Sequence, residues 1–192
     1  MLNQTSISLL QGSLSKTASV GIIVELVHTY ILERKKDIFD NNWLKRTLAT
    51  MIGFSVHDLF TYRLNKYIKF KKPEHNAAAK DVLYFGTMLF VKEIVLSFMY
   101  DSKINIYSFL QISLILIGYI LYNLFVVKNQ PELVKGSKWT TAFNDSIKSV
   151  SAILISDFIP DQDIEYQTLP VLFDLLIALP IYHMIIKPRI IK

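Results

Sequence analysis

The chain is 192 residues long, enough for one ordinary domain, and nothing in its composition divides it further. Hydrophobic residues make up 52% and charged residues only 19%, against about 25% charged in a typical soluble domain; cysteine is absent, which excludes disulfides, thiolate catalysis and thiolate-held metal centres. The net charge of +5 does not indicate a nucleic-acid partner, because the basic residues lie between apolar segments, where topology signals and contacts to anionic headgroups are found.

The first fourteen residues carry no positive side chain and no compact apolar run ahead of a small-residue cleavage site, so the first helix is expected to stay on the protein. That helix is predicted over residues 18–32, with Ala18, Gly21, Glu25 and His28 on one face. Glu25 and His28 have the Glu-x-x-His spacing of bundle-type di-metal sites, but a second copy is missing. They are therefore read as interior polar contacts, and no metal ligand or cofactor is assigned.

The second segment, 44–62, aligns Ala49, Gly53 and His57 and sets Asp58 beside His57 near its end. These two could serve acid–base work, yet no nucleophile or metal partner accompanies them, so no catalytic residue and no enzyme activity is assigned. The stretch RLNKYIKFKK then interleaves Arg63, Lys66, Lys69, Lys71 and Lys72 with aromatic and aliphatic side chains. Directly after a span, it reads either as a solvated loop with a topology role or as a stretch bound to headgroups, where each basic residue contributes about 1 kcal/mol.

The third segment, 82–100, lines Gly86, Glu93 and Ser97 on one face and carries Lys92 and Glu93 near its middle. Adjacent helical residues point about 100° apart, so these two need partners elsewhere; Asp145, Lys148 and Asp174 are the candidates. The fourth segment, 104–127, has no charge over twenty-four residues, more than the roughly 20 that cross a bilayer core. The fifth, 141–159, stripes Thr141, Asp145, Lys148, Ala152 and Ser156 along one face, with Asp157 near its end. Pro170 opens the sixth, 169–186, Pro188 stops it, and Pro180 frees the carbonyl of Leu176 and should kink it.

Small residues permit close helix approach, and polar ones in a membrane bundle turn inwards to pair. The expected fold is therefore all-α: a polytopic helical membrane bundle of about six transmembrane helices in one domain over 1–192. Four or five crossings with one interfacial helix is the variant. The contexts SVHDLF and LISDFIP hint at an inverted repeat of three spans, although chance likeness between apolar helices explains so short a match.

With six crossings, one side gathers Lys16, Arg63, Lys66, Lys69, Lys71, Lys72, Lys80, Lys128, Lys135, Lys138, Lys187, Arg189 and Lys192. The other holds Arg34, Lys35, Lys36, Lys45, Arg46 and Lys103, so both termini are expected on the cytoplasmic side. Expected partners are anionic lipid and other membrane subunits, not nucleic acid. The expected role is structural, as a subunit of a larger membrane-bound complex, with a small-solute or ion transporter as the alternative. The richness in Ile, Lys, Asn and Tyr resembles translation of an A+T-rich genome, which leaves a virion or organelle membrane open and identifies no family.

Overall fold

The computed structural model describes residues 4–30, 41–129, 137–156 and 176–190, and all the regular structure among them is helical. Six helices follow in order: α1 (Gln4–Tyr30), α2 (Asn41–Val56), α3 (Pro73–Met99), α4 (Ile106–Tyr122), α5 (Lys138–Ser156) and α6 (Leu176–Ile186). A π turn over His57–Thr61 and a 3₁₀ turn over Tyr62–Tyr67 extend α2. A second π turn, Asn123–Val127, extends α4, and a third, Tyr182–Ile186, forms the last part of α6 and is continued by one helical turn, Lys187–Ile190.

Two helices begin far earlier than predicted, and α2 and α5 slightly earlier. α1 starts at Gln4 rather than 18; its hydroxyl residues fit because a side chain can bond back along the helix, as Thr17 Oγ1 donates to the Ser13 carbonyl at 2.9 Å. α3 starts at Pro73 rather than 82. Proline is suited to the first helical position, where its missing N–H would have been unpaired anyway, and the alanines 77–79 are the strongest helix formers. Asn76 fixes the approach by accepting from the Phe70 N–H at 2.6 Å and donating to its carbonyl at 2.8 Å. The consequence is that Asp81 lies inside a helix.

α3 ends in a reversal built on Asp101, which takes a left-handed φ of 49°. The Ser102 N–H bonds the Ser97 carbonyl at 3.0 Å and the Asp101 N–H bonds that of Phe98 at 3.4 Å, the pattern that satisfies otherwise orphaned carbonyls at a helix end. Asn105 then caps α4 by accepting from the Tyr107 N–H at 3.1 Å. α3 and α4 are thereby held as a tight antiparallel hairpin.

Among the described residues, three helical stretches are long and apolar enough to cross a membrane: Ile7–Val27, Pro73–Met99 and Ile106–Val127, with 21, 27 and 22 residues. Leu176–Ile186 is apolar but shorter. α2 and α5 fall outside that group because Lys45, Arg46, His57 and Asp58 on one, and Asp145 and Lys148 on the other, lower their hydropathy.

Consecutive helices pack side by side, and the π turn of α6 returns against α1. Small residues set the closest approaches, as their sequence faces foretold. A Cβ on Gly53 would sit 2.5 Å from the Met88 carbonyl oxygen of α3, and one on Gly118 would sit 2.5 Å from Cα of Ala152 on α5. Trp43 Nε1 donates to the Gly21 carbonyl at 3.1 Å, joining α2 to α1. Phe85 and Tyr119 stack at 4.0 Å between α3 and α4. Outside, large apolar side chains including Phe60, Phe98, Ile106, Phe125 and Phe143 stand exposed.

Candidate functional site

Polar side chains from all six helices meet at one end of the bundle. The Asn123 amide donates to Asp81 Oδ2 at 2.6 Å and to the Tyr119 carbonyl at 2.8 Å, and Lys148 of α5 forms an ion pair with the same Asp81 oxygen. Asp145 Oδ2 lies 2.8 Å from His183 Nε2 of α6 and 3.6 Å from Lys16 Nζ of α1. The Tyr122 hydroxyl donates to Asn144 Oδ1 at 2.6 Å. On α2, His57 Nδ1 lies 3.0 Å from Asp58 Oδ1, and both residues are only 3% exposed.

The three π turns sit at this same end, on α2, α4 and α6. Each closes with an i to i+5 bond, from the N–H of Tyr62 to the His57 carbonyl, of Lys128 to Asn123 and of Lys187 to Tyr182. Such single π turns often occur at functional positions, since the widened turn re-aims side chains. At or just before each turn stand two buried residues, His57 and Asp58, Tyr122 and Asn123, Tyr182 and His183. Four residues before each pair is a buried small residue: Gly53, Gly118 and Ala178. The partner helices keep register too, with Thr17, Asp81 and Asp145 each separated from the next by 64 residues. Three two-helix hairpins thus repeat one pattern: α1–α2, α3–α4 and α5–α6.

The odd-numbered helices link the hairpins. Lys148 of α5 reaches Asp81 of α3, and Lys16 of α1 reaches Asp145 of α5. Tyr84 and Lys148 occupy the same register, three residues after Asp81 and Asp145 respectively.

Several sequence-level candidates are placed differently. Asp145 and Lys148 pair with His183, Lys16 and Asp81 rather than with Lys92 or Glu93. Lys92 is half-buried on α3, with Arg46 of α2 and Glu93 as charged neighbours. Glu25 is buried, at 2% exposed; the side chain of His28, and all of Asp157 and Asp174, lie outside the described residues. Arg63, Lys66, Lys69, Lys71 and Lys72 are exposed together with Tyr67 and Phe70. Among the described residues no three His, Asp or Glu side chains are gathered so as to hold a metal ion.

Asp81, Asn123, His183 and Tyr84 are not singled out by the sequence pattern, and Lys16 enters it only as a topology signal. Asp81 falls just before the predicted third segment, and Asn123 lies within the charge-free fourth. The 64-residue spacing from Thr17 through Asp81 to Asp145 was the signal that could have found the first of them. No family model, curated relative or solved structure matches this chain.

Proposed function

We propose that this chain is a multi-spanning integral membrane protein in which all six helices cross the bilayer, both termini lie on the cytoplasmic side, and the role is structural, within a larger membrane-bound assembly. The exposed apolar exterior around a charged interior supports the bilayer setting, since a water-soluble monomer rarely shows so much contiguous apolar surface.

The observation that carries the structural role is how the interior charges are used. Asp81, Lys148, Asp145, His183 and Lys16 are matched with one another between helices, which holds helices in register. The exposed Arg63, Lys66, Lys69, Lys71 and Lys72, with Tyr67 and Phe70 among them, suit a headgroup-bound surface on the same side as the polar end.

Cross-linking in the native membrane followed by mass spectrometry tests the assembly role: fixed neighbours at constant stoichiometry are expected. A protein that sits alone and monomeric there would refute it. A second reading, a small transporter or channel, draws on His57 Nε2 and Asp58 Oδ2, which are buried and make no hydrogen bond among the described residues. Purified protein in liposomes that carries protons or ions above empty controls would promote that reading over the first.

A further inference from the structure

The first hairpin departs from the other two in one respect that the repeat makes visible. In the second, a carboxylate on the odd helix (Asp81) meets the polar residue of the π turn (Asn123) and a lysine from the next hairpin (Lys148). In the third, Asp145 meets His183 and Lys16 in the same way. In the first hairpin the odd helix carries Thr17 at this register, and the carboxylate has moved onto the π turn itself as Asp58.

Asp58 has no lysine bridge among the described residues; its ion-pair contact is His57. His57 Nε2 and Asp58 Oδ2 are buried and make no hydrogen bond among the described residues. On α1, Lys16 is drawn to Asp145; on α3, Asp81 is held by Lys148 and Lys80 is exposed. Tyr84 of α3 presents its ring edge-on to His57 at 4.6 Å, and Tyr62, which follows the π turn, lies edge-on at 6.3 Å.

We propose that His57 and Asp58 form a proton-binding site, in which one exchangeable proton takes the place of the lysine present in the other two hairpins. With the ring N–H at Nδ1 donating to Asp58 Oδ1, Nε2 carries the free lone pair. A proton from water adds there, converting a neutral imidazole and a carboxylate, net charge −1, into an imidazolium–carboxylate pair of net charge zero. Release returns the same proton to water and needs no other reactant. Histidine is the side chain whose charge changes most readily near neutral pH, and buried acid–histidine pairs are a recurrent means of handling protons within membranes. The site goes beyond the assembly role, which concerns the paired charges of the other hairpins.

The test is nuclear magnetic resonance of the full chain, labelled with ¹⁵N-histidine, in detergent micelles across pH 4.5 to 9. The variants His28→Gln, His75→Gln and His183→Gln assign the other three ring signals, so His57 is read in a protein that retains it. The expected result is a His57 ring in the Nδ1–H tautomer at high pH that gains a proton at Nε2 as the pH falls. In Asp58→Asn the midpoint should move to lower pH, because a neighbouring carboxylate favours the charged ring. A His57 ring that stays neutral throughout, or one that titrates identically in wild type and Asp58→Asn, would overturn the proposal. Should Asp58→Asn fail to fold, the wild-type tautomer and titration decide it. Neighbours in the native membrane are measured separately, so failure here leaves the assembly reading standing.

Discussion

The second and third hairpins place their charges alike, and the first does not. Asp81 and Asp145 each accept a bond from the partner helix and an ion-pair contact from another hairpin; Asp58 rests on the adjacent His57 alone among these contacts. The contrast teaches that the same buried scaffold can use a carboxylate to hold helices or keep it available for a proton, depending on whether a cation is supplied from outside the hairpin. Burying a charge is costly unless it is paired and hydrogen-bonded.

Removing that cation should have the largest effect. Lys148→Met leaves Asp81 facing Asn123 without its counter-ion, and a loss of about 3 kcal/mol is expected from unfolding in mixed micelles; adding Asp81→Asn should restore much of it. Asp58→Asn, by contrast, should cost less than Lys148→Met, because no inter-hairpin bridge is broken. Equal losses in the two variants would erase the distinction between the hairpins.

Next in size are the close approaches that the hairpins share. Gly53→Val and Gly118→Val should each cost about 1–3 kcal/mol, since the new Cβ must push back the backbone of Met88 or Ala152. Similar losses from both would sharpen the repeat, and tolerance at only one would weaken it. Smallest is Tyr122→Phe, which removes the hydroxyl bond to Asn144; about 0.6 kcal/mol is expected by the same assay, the usual scale for interhelical hydrogen bonds in membrane proteins.

The sequence foretold the helical segments and the small faces well, and the polar contacts poorly. Gly21, Gly53 and Ala152 were predicted to lie at helix contacts and do. Asp145, Lys148 and Asp174 were candidate partners for Lys92 and Glu93; the first two are engaged with other groups instead, and Asp174 lies outside the described residues. The third helix was begun too late, because its first turns are polar and alanine-rich rather than oily. Asp81 was lost with them.

What the sequence determined by itself was local: where apolar runs and helix formers sustain a helix, and which small residues recur at three- or four-residue spacing. Those signals arise from periodicity within one element and need no knowledge of its neighbours. The tertiary structure alone decided that Asp81 meets Lys148, that Asp145 meets His183 and Lys16, and that His57 and Asp58 are left to each other. A charge finds its partner through the depth and facing of helices far apart in the chain, and only their packing sets that.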